Sequence, residues 1–236
     1  QCGRFSIPLD RPKIMGIVNV TPDSFSDGGE HETTEQAISH AKLLIAQGAD
    51  ILDIGGESTR PGAAPVSVEE ELQRVLPVLR GVMDLGVPIS IDTRRPQVMA
   101  EAVALGVDLL NDVNGFRDPQ AFEVAVNSSS GLCIMHMLGE PRTMQDNPQY
   151  GDVVGEVTDF LMARCQAFDQ ADDKEACRAR VVGHVEITGS VAGGGILRQV
   201  AITTRAPQEP ALPGSAMGAG MPPSTTPPSN DIGTDE

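Results

Sequence analysis

The chain reads as an α/β protein on a parallel sheet, of the (β/α)8 TIM-barrel type, and three observations predict it. Short apolar runs alternate with helical patterns five times in succession, and parallel strands need crossovers of that length and kind. Each run ends on polar residues, namely Asn19, the Gly55 to Pro61 loop, Asp92, Asn111 and His136; a barrel brings such ends to one face, where its chemistry lies. The length of 236 residues is also close to the roughly 250 of a full barrel.

The first strand is Ile14, Met15, Ile17 and Val18, a run of the kind a parallel sheet buries on both faces. Asn19 closes it, and Thr21-Pro22-Asp23-Ser24 with Gly28-Gly29 supplies turn chemistry. Residues 34–47 place Ala37, Ile38, Ala41, Leu44 and Ile45 at helical spacing, between a Thr34 cap and a terminating Gly48. Ile51 to Ile54 is the second strand, opening into Gly55-Gly56-Glu57-Ser58-Thr59-Arg60-Pro61-Gly62. An amphipathic helix follows from Val68 to about Leu85, with Glu69 to Glu71 complementing its dipole and Pro77 expected to bend or divide it. Strands three to five are Ile89 to Asp92, Leu109 to Asp112 and Leu132 to His136. Their helices are Pro96 to Leu105, Pro119 to Val126 and Val153 to Phe168.

Arg180-Val181-Val182 begins a sixth strand, after which the chain changes character. Gly193-Gly194-Gly195 interrupts it, and Pro, Gly, Ser and Thr dominate from Ala206 onward. Residues 1–182 are therefore expected to form an incomplete barrel of about five to six βα units. Residues 183–236 are expected to be an irregular, disordered, low-complexity tail.

Composition narrows the function. Hydrophobic residues are 40% of the chain but aromatics only 3%, so the core is aliphatic. A formal net charge of −16 argues against nonspecific nucleic-acid binding and against docking on anionic lipid, both of which need a basic surface. An anionic substrate then needs a local cation, from Arg or a metal. Cys2, Cys133, Cys165 and Cys177 are scattered without metal-ligand spacing, which reads as free thiols in the cytoplasm, with Cys133 a small core residue. No apolar run approaches the roughly 18 residues of a membrane span. The chain starts at Gln1, so its natural start is expected upstream.

Each strand-end residue has two readings. Asn19 is a turn former, or an oxygen ligand for Mg2+ bound together with substrate phosphates. Asp92 is an N-cap for the next helix, or a carboxylate accepting paired N–H donors from a heterocycle. Asn111 is satisfied structure, or an amide matched to a heterocycle edge. Thr59 and Arg60 are solvent-facing loop residues, or contacts for phosphate oxygens. His136 reads first as a satisfied residue at the core edge.

In order and spacing, NVTPDSFSDGG at Asn19 to Gly29, GGESTRPGA at Gly55 to Ala63, SIDT at Ser90 to Thr93, LLNDVNGF at Leu109 to Phe116 and IMHM at Ile134 to Met137 resemble bacterial dihydropteroate synthase. The resemblance runs from about Leu9 to about Val182, roughly two-thirds of a family chain. It implies a cytoplasmic transferase of folate biosynthesis on a (β/α)8 barrel. That enzyme joins p-aminobenzoate to 6-hydroxymethyl-7,8-dihydropterin diphosphate and releases pyrophosphate. By the same resemblance Asn19 helps hold Mg2+ on the diphosphate, Asp92 and Asn111 bind the pterin, and Thr59 contacts the pterin diphosphate. Loop residues Asp23, Phe25, Arg60 and Pro61 would close over the site and shape the p-aminobenzoate pocket, where sulfonamides compete.

The family's later segments, DPGxGFGK, SRKS and a last strand with Arg and His, have no counterpart in these 236 residues. A truncated or frameshifted product with impaired activity is the expectation, and the homodimer of the family, built on helices of that later half, is not expected to carry over. Two rival readings are a noncatalytic pterin-binding fragment and, ranked lower, a pterin-dependent methyltransferase on a related barrel.

Overall fold

The computed structural model describes residues 2–8, 10–21, 30–58, 65–140, 144, 148–171, 181–183, 187–190 and 196–199. Six strands, β1 (Met15–Asn19), β2 (Ile51–Gly55), β3 (Ile89–Asp92), β4 (Leu109–Asp112), β5 (Gly131–Ile134) and β6 (Val181–Gly183), lie side by side in chain order. Every neighbouring pair is parallel. The first four crossovers carry α1 (Glu30–Ala46), α2 (Val68–Val82), α3 (Pro96–Leu105) and α4 (Pro119–Asn127); α5 (Val153–Ala171) follows β5. β1 and β6 are the edges, so the described residues form an arc of an α/β barrel.

Side chains alternate across each strand, and the two faces separate by what they meet. Leu52, Ile54, Ile91, Leu110, Leu132 and Ile134 pack with helix residues Ala37, Val75, Leu79, Met99 and Phe168. On the opposite, inner face Met15, Ile51, Leu109 and Cys133 form a second cluster with Cys2. Cys2 also reaches Asp108, where its thiol donates to the backbone carbonyl at 3.0 Å. Both Asp108 side-chain oxygens are saturated. One accepts Arg4 N at 3.0 Å and Nε at 3.1 Å, the other Arg4 Nη2 at 2.8 Å and Ile89 N at 3.0 Å. The segment around Cys2 and Arg4 thus seals the floor of the arc, and burial pushes the Cys2 thiol up to about 12.

Several elements differ from their sequence reading. Ile14 is 57% exposed and precedes β1; its carbonyl accepts from Asp50 and Ile51, so it leads into the strand without joining the core. α1 begins at Glu30, which places Thr34 inside the helix and not at its cap. α2 continues through Pro77. Gln73, whose carbonyl loses its usual partner there, is a solvent-facing residue, which makes the loss tolerable. Ser67 caps α2 by accepting from Glu70 N, and α3 ends at Gly106, whose φ of 89° is left-handed. The sixth strand forms, as Val181–Gly183 on β5. Within 183–236, read as an irregular tail, β7 (Ile187–Ser190) and β8 (Ile196–Gln199) pair antiparallel; Ile187 and Ile196 supply β-forming residues there. Residues 200–236, and Cys177, lie outside the described residues. Among the described residues no helix is long and apolar enough to cross a membrane.

Candidate active site at the carboxyl ends of the strands

The parallel register builds the site. Asn19 pairs with Gly55, Gly55 with Asp92, Asp92 with Asn111, Asn111 with Cys133 and Cys133 with Val182, one continuous row from β1 to β6. Partners in a parallel register present their side chains to the same face, so Asn19, Asp92 and Asn111 share the inner face near its carboxyl end. Gly55 supplies no side chain between them. A Cβ there would lie 3.6 Å from Asp92 Cβ and Oδ2 and 3.7 Å from Asn19 Oδ1, so the gap is bordered by two oxygen-bearing groups.

Depth grades along this face. Asn19 is exposed, Asp92 half-buried, and Asn111 buried. Below them Asp53, two residues before Gly55 on the same face, is buried in β2 and accepts from Asn111 Nδ2 at 3.1 Å. Asn111 Oδ1 and Ser90 Oγ, also buried, have no hydrogen-bond partner among the described residues. Cys133 closes the row as a neutral thiol, its ionisation driven up by burial and then by Asp53 and Asp92. The inner face therefore passes from apolar at the floor to amide and carboxylate at the mouth, a gradient suited to a flat polar heterocycle.

Of the two readings of Asp92, the N-cap does not hold: Arg95 occupies the N-cap of α3, and Pro96 supplies its first turn. Asp92 instead stands in the row described above.

The loop after β2 is stapled at both stems. Glu57 Oε1 accepts from Val66 N at 3.4 Å and from Arg95 Nη2 at 3.2 Å, and Glu57 Oε2 from Arg94 Nε at 3.2 Å. Arg95 also bonds the Val66 carbonyl and pairs with buried Glu71 at 2.9 Å. Burial raises the Glu57 carboxyl, but Arg94 and Arg95 outweigh it and hold the group below its ordinary value. Burial dominates at Glu71 and pushes it up, against the pull of Thr93 and Arg95. Glu71, placed by sequence in the dipole-complementing first turn, is thus also the buried anchor of this network.

The loop after β4 is equally fixed. Asp112 accepts from Asn114 N at 2.8 Å and Phe116 N at 2.7 Å, while Arg164 Nε donates to the Gly115 carbonyl at 2.9 Å. Gly115, at φ 61°, admits no side chain, since a Cβ would meet the Met135 carbonyl at 2.6 Å. Burial raises Asp112 to about 6 against the two N–H bonds. His136 lies past β5 and packs edge-on to Phe160 at 5.1 Å; partial burial lowers its basicity.

The register thus brings Asn19, Asp92 and Asn111 together. Thr59, Arg60, Pro61, Asp23 and Phe25 lie outside the described residues. Sequence reasoning missed Asp53. Its signal is an acid inside the apolar run ILDIG, two residues before the strand end and so of the same facing as Gly55. For a metal, the described residues contain no group of three or more His, Cys, Asp or Glu poised to hold one. Mg2+, however, commonly takes one or two protein oxygens and completes its shell with phosphate and water. The exposed amide oxygen of Asn19 fits that demand.

Residues 15–175 match the family described as pterin binding enzyme. A dihydropteroate synthase of Neisseria meningitidis serogroup B is 59% identical over 167 residues, which are 70% of this chain and 59% of that protein. The crystal structure of Burkholderia cenocepacia dihydropteroate synthase complexed with 7,8-dihydropteroate superposes with a TM-score of 0.67 at 50% identity, covering 78% of this chain and 61% of that one. Xanthomonas albilineans dihydropteroate synthase with 4-aminobenzoic acid gives 0.66 at 49% identity, covering 74% and 61%. The chain spans about three-fifths of the length of these relatives.

Proposed function

This chain belongs to the pterin-binding enzyme family, and from that premise we propose that its strand ends form the pterin side of a dihydropteroate synthase site. The observation that carries the reading is the row Asn19, Gly55, Asp92, Asn111, which sets one amide oxygen at the rim, a gap at Gly55, and a carboxylate and an amide deeper in. The substrates are 6-hydroxymethyl-7,8-dihydropterin diphosphate and p-aminobenzoate, with sulfonamides competing for the second. The dihydropteroate and 4-aminobenzoic acid bound by the Burkholderia and Xanthomonas enzymes support this choice.

In this reading Asp92 and Asn111 hold the pterin ring through its N–H groups, Asn111 at a depth that excludes water. Asn19 directs its amide oxygen to the rim, where it would help hold Mg2+. That ion, when bound, neutralises charge on the departing diphosphate. The p-aminobenzoate nitrogen forms a bond to the pterin methylene as the carbon–oxygen bond to diphosphate breaks. Pyrophosphate leaves with the bonding pair, and the secondary ammonium so formed loses one proton to solvent, which leaves the neutral amine of the product. No side chain is assigned as a general acid or base; positioning and charge stabilisation carry the step. Thr59, Arg60, Pro61, Asp23 and Phe25 are proposed to close the site from the loops after β2 and β1, the first of which is stapled at Glu57 and Val66. We assign residues 1–182 to the pterin-binding unit and 183–236 to a separate segment, since the family match ends at 175. The cytoplasm suits the free thiols Cys2, Cys133 and Cys165.

A second reading is pterin binding without turnover, for which the described strand ends supply binding groups and no assigned general acid or base. Titration calorimetry of the full chain with a non-hydrolysable pterin diphosphate analogue and Mg2+, beside p-aminobenzoate-dependent turnover, separates the two. Binding with product, abolished by Asp92→Ala, supports the synthase. Binding without product selects the second reading, and no binding removes both.

A further inference from the structure

Asn111 and Asp53 are both at most 4% exposed and are joined by a single hydrogen bond of 3.1 Å, from Asn111 Nδ2 to Asp53 Oδ2. They stand on different levels of the inner face. Asp53 pairs with Ile17 and Ser90, one step below the row that contains Asn111. A side-chain amide can present either its oxygen or its nitrogen to a neighbour, and the two choices offer opposite patterns to a ligand. A carboxylate only accepts. It therefore fixes the amide with Nδ2 turned down toward β2 and Oδ1 turned away, toward the carboxyl ends of the strands. That Oδ1 is buried and has no hydrogen-bond partner among the described residues, a state that is costly unless something fills it.

We infer that Asp53 is a positioning residue that locks the Asn111 amide so that its oxygen, and not its nitrogen, reads the bound heterocycle. The ligand atom that meets Asn111 is then an N–H donor of the ring. Asp53 itself does not touch the ligand. It converts an ambidextrous amide into an acceptor of fixed direction, and this explains an acid in the middle of an otherwise apolar strand. The inference rests on the pterin reading of the mouth for the identity of the ligand, but the locked orientation belongs to the free protein and can be measured without any ligand.

The first measurement is hydrogen exchange of the Asn111 side-chain amide in the 15N-labelled full chain, by NMR. One Nδ2 proton is expected to exchange at least about tenfold more slowly than in exposed asparagines, and Asp53→Asn is expected to remove that protection. Free exchange in the unsubstituted protein overturns the inference, whatever becomes of the variant. The second is calorimetric binding of 6-hydroxymethyl-7,8-dihydropterin to Asp53→Asn, to Asn111→Asp and to the double variant that carries both. Each single substitution is expected to weaken binding by roughly tenfold or more, the scale of one hydrogen bond to a charged group. In the double variant the amide stands on β2 and donates to a carboxylate on β4, so that an oxygen still faces the mouth. Its affinity is expected to recover to within about threefold of the unsubstituted chain, the tolerance of an exchange that keeps the bond count. A double variant that melts cooperatively and binds no better than either single variant sinks the idea. If the unsubstituted chain binds no pterin, the pterin reading falls alone, and the exchange measurement still decides the role of Asp53.

Discussion

Asp108 and Asn111 are buried polar side chains three residues apart on one stretch of chain, and they are treated in opposite ways. Asp108, at the floor, has each carboxylate oxygen accepting two N–H groups from Arg4 and Ile89. Asn111, at the mouth, spends its nitrogen on Asp53 and leaves its oxygen without a partner among the described residues. Saturation at one end and an open acceptor at the other divide the labour: the floor holds the arc together, and the mouth keeps hydrogen-bonding capacity in reserve. Substitutions at the floor should therefore be read out in stability, and those at the mouth in binding.

The largest test is Asp108→Ala. It strands four donors, three on Arg4 and one on Ile89, while leaving the backbone carbonyl that Cys2 meets, and a loss of about 3 kcal/mol is expected from urea unfolding. A loss below about 1 kcal/mol, the scale of an ordinary single hydrogen bond, would remove the floor from the comparison. A smaller effect is expected from Asp112, whose loop borders the mouth. Its folded-state value of about 6 lies above the ordinary 3.8, so the fold binds this proton more tightly than the unfolded chain does. Its stabilising contribution is complete below about 3.8 and is lost as pH rises through about 6. Between about pH 4 and about pH 7 the urea midpoint should fall more for the unsubstituted chain than for Asp112→Asn, a difference on the order of 2 kcal/mol. Equal slopes in the two proteins would contradict this assignment. The smallest effect on stability belongs to Gly55→Ala. The added methyl meets Asp92 and Asn19 at ordinary contact distance, so unfolding should move by under about 0.5 kcal/mol. Pterin affinity should nonetheless drop several-fold, because the gap between those two groups is filled. Unchanged affinity would show that the gap is not used.

Much of this was legible in the sequence because a strand that ends on a polar residue is a local signal. Asn19, Asp92 and Asn111 each follow an apolar run, and the structure sets them in one register. Asp53 was not legible in this way, since a lone acid inside ILDIG has meaning only once the facing of its neighbours is known. Glu71 was half legible. Its position in the first turn of α2 was right, but its burial against Arg95 depends on β3 and α3 arriving beside it. Ile14 shows the opposite error, an apolar residue counted into the core that the chain leaves at the surface while using only its backbone. Pairing of β7 with β8 depends on contacts across a Gly-rich stretch, which composition alone does not reveal.

The floor seal also bears on the order in which the molecule is assembled. Arg4 and Asp108 are separated by 104 positions, so the bond between them closes one of the longest loops among the described residues. The entropy of closing that loop has to be met before the contact returns anything, and contacts of such separation slow folding. Cys2 and Arg4 are synthesised long before β4, yet they have no floor to occupy until β1 to β5 stand side by side. Residues made before β4 are thus placed only once β4 and β5 are there to receive them.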